Sequence, residues 1–148
     1  MYFDSHAHYD DERFDDDRNE LLASFPDAGI ENVVNSSSDI ASSKASIALT
    51  EKYPFFYASV GVHPHEVEKM TEQDLLELET LSKHEKVVAI GEIGLDFYYD
   101  LSPRDMQRYW CKRQLELAER LDMPIIVHSR DAAQECFDII KASGVRKG

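Results

Sequence analysis

The sequence predicts an α/β fold in which five parallel β-strands alternate with α-helices. Short apolar runs, which are typical of strands, recur along the chain at intervals of roughly 30 residues, the usual length of a βα unit. Two of these runs, Val87–Ile90 and Ile125–Val127, are continuously apolar, as in strands that are buried on both faces of a parallel sheet. Parallel strands connected by helices require right-handed crossovers.

The elements alternate regularly from the N-terminus to the C-terminus. The predicted strands are Tyr2–Ser5, Ile30–Asn35, Phe55–Val62, Val87–Glu92 and Pro124–His128. The first helix is the least clear, because Pro26 interrupts it or ends it early. The other four helices each have an apolar face, formed by Ala41, Ala45, Ala48 and Leu49; by Leu75, Leu78 and Leu81; by Met106, Trp110, Leu117 and Leu121; and by Cys136, Ile139 and Ile140.

Two of the helix starts carry capping sequences. Thr71 followed by Asp74 resembles a capping box, in which Glu or Gln is the usual partner of the capping residue. Ser102 before Pro103 is typical of an N-cap followed by proline at the first helical position. No linker, low-complexity tract or charge block divides the chain, so we expect residues 1–148 to form one domain.

Composition and charge restrict the class of protein. Hydrophobic residues make up 43% of the chain, and no apolar run reaches the roughly 20 residues that a membrane span needs. The N-terminus lacks the features of a signal peptide, and Cys111 and Cys136 form no CxxC pair, so we expect a cytoplasmic protein with structural thiols and no membrane partner. The net charge of −13 argues against a broad basic surface for nucleic acid, so metal ions and local basic groups would have to attract a polyanion.

The strongest functional signal is the placement of histidines and one glutamate at the carboxyl ends of predicted strands. They are His6 and His8 directly after strand one, His63 and His65 at the end of strand three, Glu92 at the end of strand four and His128 at the end of strand five. Active sites of parallel α/β proteins form at this edge of the sheet. We therefore expect these side chains to lie close together.

Imidazole and carboxylate groups in this pattern are typical metal ligands. His6 and His8 are two residues apart in extended chain, so they point to the same side and can bind one ion. Each residue also has a simpler interpretation: a lone HxH is a weak signal, Glu92 could pair with an arginine, and His128 could be a hydrogen-bonded core histidine. Their combination favours a metal site, in which Glu92 is the natural candidate to bridge two ions.

Four segments resemble the TatD family of metal-dependent hydrolases. Phe3–His8 is similar to the opening metal motif of that family, and Val60–His65 is similar to its strand-three motif. Ala89–Tyr98 resembles its most distinctive stretch, and Pro124–Ala132 resembles its strand-five motif. The resemblance covers the whole chain, and the two longer motifs would rarely occur together by chance.

The resemblance implies a TIM-barrel type of fold, two divalent metal ions (Mg, Mn or Zn) and hydrolysis of phosphodiester bonds, chiefly in DNA. By this implication His6 and His8 hold one ion, Glu92 bridges the ions and has a catalytic role, and His128 holds the other. His63 would contact the substrate or its leaving group.

Two further residues are candidates for substrate binding. Arg130, which we expect at the start of the last helix, could bind a phosphate, although an ion pair with Asp131 or Glu92 is an equal alternative. We expect Asp96 in the loop after strand four, together with Tyr98, either near the substrate or capping the loop.

The chain of 148 residues is too short for the complete barrel that the resemblance implies, since a (β/α)₈ barrel typically needs about 250 residues. We therefore expect βα units 1–5, without the three C-terminal units that bring a strand-six histidine and a strand-eight aspartate in the family. On this expectation the 148-residue chain would be at best a feeble hydrolase. Open sheet edges would also favour a homo-oligomer.

Two other functions remain open on the sequence alone. One is an amide or lactone hydrolase of the same superfamily, although several of those enzymes have a carboxylated lysine where this chain has Glu92. The other is a non-catalytic fragment that only binds metal or a partner.

Overall fold

The computed structural model describes all 148 residues and contains one five-stranded parallel sheet. The strands are β1 Tyr2–Ala7, β2 Ile30–Asn35, β3 Phe56–Val60, β4 Val87–Asp96 and β5 Ile125–Arg130. Their order in the sheet is their order in the sequence, so each strand pairs with the next one along the chain. The prediction of five parallel strands is confirmed.

A helix follows each strand. The helices are α1 Arg18–Ala23, α2 Ile40–Lys52, α3 Glu72–Leu81, α4 Arg104–Arg120 and α5 Ala133–Ala142, and two short 3₁₀ helices span Glu12–Phe14 and Val67–Lys69. The short α1 ends before Pro26, as expected. None of these helices combines the length and apolar character needed to cross a membrane.

One of the two capping predictions is correct and the other is displaced by one residue. Thr71 and Asp74 form a complete capping box at the start of α3. Pro103 is itself the N-cap of α4, because the hydroxyl of Ser102 instead donates a hydrogen bond of 2.8 Å to the carbonyl oxygen of His65. Ser102 thus fixes the loop after β3 against the start of α4.

The main hydrophobic core lies between the sheet and its helices. Trp110 and Leu117 of α4 belong to the same buried cluster as Ile90 and Ile93 of β4. A second, smaller cluster around Phe56 packs β1, β2 and α1 together. Cys111 and Cys136 are buried and unpaired, in agreement with structural thiols.

Strands β1, β4 and β5 extend further than their apolar runs predict. In particular, the ladder between β4 and β5 pairs Gly94 with His128 and Asp96 with Arg130. Gly94 has a φ of +142°, and a Cβ atom there would lie 2.0 Å from the carbonyl oxygen of His128, so only glycine fits this close approach. His6 therefore lies within β1 rather than after it, and Glu92 and His128 lie inside β4 and β5 rather than at their ends.

Candidate metal centre

The carboxylate of Glu92 lies at the centre of the site. Its Oε2 atom is 3.0 Å from Nε2 of His6 and 3.5 Å from Nε2 of His8. Its Oε1 atom is 3.1 Å from Nδ1 of His128 and 4.0 Å from Nε2 of His63. The structure therefore brings together all four predicted metal ligands, and it adds His63 beside them.

The His6, His8 and Glu92 side chains have the spacing of a metal-binding triad. The two histidine Nε2 atoms are 3.2 Å apart, and all three ligand atoms lie within 4.8 Å of one another. Ligands that bind a common ion at about 2.1 Å show separations of this size. Nδ1 of His8 donates a 2.8 Å hydrogen bond to the carbonyl oxygen of Ser36, which leaves Nε2 available as a ligand.

A second cluster of imidazoles lies on the other side of Glu92. One ring nitrogen from each of His63, His65 and His128 also lies within 4.8 Å of the other two. Oδ2 of Asp96 lies 2.8 Å from Nε2 of His65 and 2.8 Å from Nε2 of His128, so one carboxylate oxygen orients both rings. The sequence pattern places His65 at the sheet edge but gives no sign of its pairing with Asp96.

Asp96 is the last residue of β4 rather than a loop residue, and its side chain is fully buried. Its Oδ1 atom accepts hydrogen bonds of 3.0 Å and 2.8 Å from the backbone amides of Tyr98 and Tyr99. Both carboxylate oxygens are thus bonded within the protein. The expected loop position is wrong, because pairing with β5 continues up to Asp96 and Arg130. The expected loop-capping role agrees with the structure, since the Asp96 side chain accepts from the two amides that follow β4.

The electrostatics of the site suit a cation. Burial opposes ionisation of Glu92, but the hydrogen bond from His128 and the nearby charges on His6 and His63 together lower its pKa to about 2. Imidazoles alone provide the positive partners of Glu92, since no lysine or arginine nitrogen lies within 4.0 Å of it. The alternative of a Glu92–arginine pair is therefore excluded in this structure.

The two histidines beside Oε1 of Glu92 have pKa values that are shifted in opposite directions. Burial and, to a smaller extent, a nearby charge on His128 lower the pKa of His63 to about 4. The hydrogen bond with Glu92 is the main reason that the pKa of His128 is raised, against the effect of burial. His63 is consequently a neutral imidazole at neutral pH.

Small polar residues at the end of β2, directly after it and on β3 form hydrogen bonds with the backbone near Glu92 and His8. The backbone amide of Glu92 donates to the carbonyl oxygen of Ser37, and the Ser59 hydroxyl donates a 2.6 Å hydrogen bond to the carbonyl oxygen of Gly91. The Asn35 side chain accepts from the backbone amide of Tyr9, just after His8. These residues are not among the predicted site residues, although the polar run Asn35–Ser38 directly after the apolar part of β2 could have indicated them.

Arg130 does not occupy its predicted position at a helix start, since it is the last residue of β5. Its guanidinium carbon lies 4.3 Å from the ring centroid of Tyr98 and 4.6 Å from that of Tyr99. Neither ion pair considered for it, with Asp131 or Glu92, forms in the structure, in which no carboxylate approaches Arg130 within 4.0 Å.

The centre opens into a cavity of about 880 Å³ that is lined almost entirely by polar residues. Its lining includes His8, His63, Glu92 and His128 from the centre and Arg130 from the rim. Two acidic residues after β1, Asp10 and Asp11, also line it, but Asp11 is engaged by Arg13 in a 2.8 Å ion pair.

Comparisons with known proteins identify relatives along the whole chain. A family model described as TatD related DNase matches residues 3–148. The uncharacterized metal-dependent hydrolase YabD of Bacillus subtilis is 40% identical over 144 residues, which cover 97% of this chain and 56% of YabD. The 3'-5' ssDNA/RNA exonuclease TatD of Cronobacter sakazakii is 33% identical over 130 residues, which cover 88% of this chain and 49% of that protein.

A solved structure has the same fold over this region. The crystal structure of YjjV, a TatD homolog from Escherichia coli K12, matches with a TM-score of 0.87 and 32% sequence identity. The match covers 95% of this chain and 55% of YjjV, so this chain spans about half the length of the relatives that it matches. This likeness confirms the predicted fold class, five βα units of the TIM-barrel type.

The family model extends over nearly the whole chain, from within β1 to the last residue. The four segments that resemble the TatD family in the sequence contain His6, His8, Glu92 and His128, which the fold brings to one end of the sheet. The chain belongs to the TatD-related DNase family.

Proposed function

We propose that this chain carries the two-ion centre of a metal-dependent hydrolase that cleaves phosphodiester bonds in DNA. The observation that carries this proposal is the orientation of Glu92. One of its oxygens faces His6 and His8, whereas the other faces His128. A carboxylate can join two ions in this way, as in the two-metal sites of phosphatases and nucleases.

The names of the relatives support the same class of reaction. YabD is named a metal-dependent hydrolase, and the Cronobacter protein is named a 3'-5' ssDNA/RNA exonuclease. A polar cavity suits a phosphodiester better than an apolar ester, provided that bound metal ions offset the acidic residues that line it. Arg130 adds one cationic group to the lining.

The residues present suit a pair of divalent ions, with three protein ligands for the first ion and two for the second. His6, His8 and Glu92 would hold one ion, and Glu92 and His128 would hold the other. Their nitrogen and oxygen donors suit Zn²⁺ or Mn²⁺, whereas Mg²⁺ prefers oxygen ligands. When bound, such ions lower the pKa of a coordinated water and neutralise charge on the phosphate.

His63 is suited to donate a hydrogen bond to the substrate. Its Nδ1 atom accepts a 3.1 Å hydrogen bond from the backbone amide of His65, so in the neutral ring the proton is on Nε2. Nε2 faces the centre, 4.0 Å from Oε1 of Glu92. From there it would donate to a phosphate oxygen or to the leaving oxygen, whose developing charge it would stabilise.

Arg130 and Asp96 have different roles in this proposal. The free guanidinium of Arg130 at the cavity rim would bind a phosphate of the strand. Asp96 is fully buried, and both of its oxygens are bonded to protein groups. It would therefore position His65 and His128 rather than touch the substrate.

The test compares metal binding with cleavage. Mn²⁺ is titrated into the 148-residue chain by calorimetry, and cleavage of a labelled single-stranded oligonucleotide is followed in Mn²⁺. We expect Glu92→Gln to weaken binding at least about tenfold. Glu85→Gln is the matched control, because Glu85 is exposed just before β4 and should have no effect.

Several outcomes would contradict the proposal. Equal Mn²⁺ affinity of the wild type and Glu92→Gln would show that Glu92 is not a ligand. Metal binding that depends on Glu92, with no cleavage at all, would retain the metal centre but favour the non-catalytic metal-binding alternative for this chain, which by itself is expected to be at best a feeble hydrolase. Cleavage of amides or lactones in place of DNA would assign it to the other branch of the superfamily.

A further inference from the structure

Arg130 is unusual among the arginines of this acidic chain. Six of the eight arginines lie within 4.0 Å of a carboxylate oxygen, and Arg130 does not, although acidic residues outnumber basic ones by 29 to 16. The six paired arginines are Arg13, Arg18, Arg104, Arg108, Arg113 and Arg120. The Arg130 guanidinium instead rests against two tyrosine rings, so its charge is available to an anion.

The two tyrosines are exposed but held in place. Tyr98 is 58% exposed and Tyr99 is 50% exposed, and their rings meet edge to face with centroids 4.9 Å apart. Both of their backbone amides are bonded to the buried carboxylate of Asp96. Large apolar rings at the surface on an anchored backbone are pre-organised to bind a ligand, because little conformational freedom remains to be lost.

These residues form one surface, the Tyr98–Tyr99–Arg130 platform, which is continuous with the metal centre. Tyr99 and Arg130 line the same cavity as Glu92. The ring centroid of Tyr99 is 5.6 Å from that of His65, whose own centroid is 5.8 Å from that of His128. A group that lies on the platform is therefore next to the residues around Glu92.

We infer that the Tyr98–Tyr99–Arg130 platform is a subsite for one unpaired nucleobase and its phosphate. The base stacks on a tyrosine ring, and Arg130 binds the adjacent phosphate oxygens. Stacking of this kind needs an exposed base face, so the platform engages a single strand and rejects a duplex. This inference rests on the proposed function, since it names the part of the nucleic acid that the site recognises.

The test is equilibrium binding of fluorescein-labelled oligonucleotides with nuclease-resistant phosphorothioate linkages. Binding is measured by anisotropy both in Mn²⁺ and in EDTA, because metal ions would help to attract a polyanion to this acidic chain. The probes are a short oligothymidylate, an abasic strand of the same length and a duplex. We expect the double variant Tyr98→Leu, Tyr99→Leu to bind oligothymidylate about tenfold more weakly or worse. Tyr98→Phe, Tyr99→Phe should bind like the wild type, because phenylalanine keeps the ring face.

The abasic strand separates stacking from charge. It should bind the wild type as weakly as oligothymidylate binds the leucine variant, and Arg130→Gln should weaken the binding of both strands. Equal binding of all three probes, or unchanged binding by the leucine variant, would overturn the inference. Circular dichroism of each variant checks that it is folded. If the leucine variant is not folded, the comparison of oligothymidylate with the abasic strand on the wild type carries the test.

These results are distinguishable from failure of the proposed function. The platform is tested by the difference between probes with and without bases in the same buffer, whereas the two-ion centre is tested by Mn²⁺ titration and by cleavage. Base-dependent binding without Mn²⁺ binding would retain the platform and remove the metal centre. Mn²⁺ binding that depends on Glu92, without any preference for strands that carry bases, would retain the metal centre and remove the platform.

Discussion

Oδ2 of Asp96 lies 2.8 Å from Nε2 of His128, on the side of the imidazole ring opposite to Glu92. A buried carboxylate in this position fixes the orientation of the ring and directs Nδ1 towards Glu92. Metal-binding histidines commonly have such a partner, and its loss typically reduces metal affinity.

We predict that Asp96→Asn weakens binding of the ion that Glu92 and His128 are proposed to hold by about 10–100-fold. The ion that His6 and His8 are proposed to hold should be less affected, because neither histidine contacts Asp96. Calorimetric titration with Mn²⁺ resolves the two steps as separate affinities. A uniform loss in both steps would indicate a general structural defect, and unchanged affinities would contradict the role of Asp96.

We predict that Gly94→Ala destabilises the fold by about 1–3 kcal/mol or more, from backbone strain and from a clash with β5. The added Cβ atom would lie 2.0 Å from the carbonyl oxygen of His128. Gly29→Ala is the matched control, because Gly29 also has a positive φ (+77°) but its nearest neighbouring atom would be 3.7 Å away. Urea denaturation should show the larger loss for Gly94→Ala; equal losses would contradict the steric argument.

We predict that both cysteines resist thiol reagents in the folded protein. Burial raises the pKa of the Cys111 thiol to about 12 and also raises that of Cys136, so little reactive thiolate is present at pH 7–8. Labelling with Ellman's reagent should therefore be slow in buffer and complete in denaturant. Rapid reaction of a thiol in buffer would show that its side of the core opens readily.

We predict that the 148-residue chain self-associates at micromolar concentration. The two outer strands of the sheet, β1 and β5, have unpaired edges, and Tyr2, Phe3 and Val127 on them are exposed. Exposed edges and apolar surface favour association. Sedimentation velocity should show a species larger than the monomer, reduced by Phe3→Lys. A stable monomer at all concentrations would contradict this prediction.

The sequence alone predicts the five parallel strands and the residues around Glu92. Apolar runs of strand length report burial on both sides of a sheet, and this signal depends only on local sequence. The shared orientation of the two histidines at residues 6 and 8 also depends only on local sequence, because residues two apart in a strand point to the same side. The motifs around Glu92 and His128 are also local in sequence, and they are the segments by which the chain resembles the TatD family.

The positions of Asp96 and Arg130 were decided by tertiary structure. Pairing between β4 and β5 continues past the apolar runs, which turns Asp96 inward to His65 and His128 and places Arg130 against Tyr98. These contacts join segments more than 30 residues apart, and their energy depends on the register of two strands rather than on either segment alone. The opposed orientation of the two Glu92 oxygens has the same origin. It requires β1 and β5 to place His6 and His128 on opposite sides of the Glu92 carboxylate, which lies on β4.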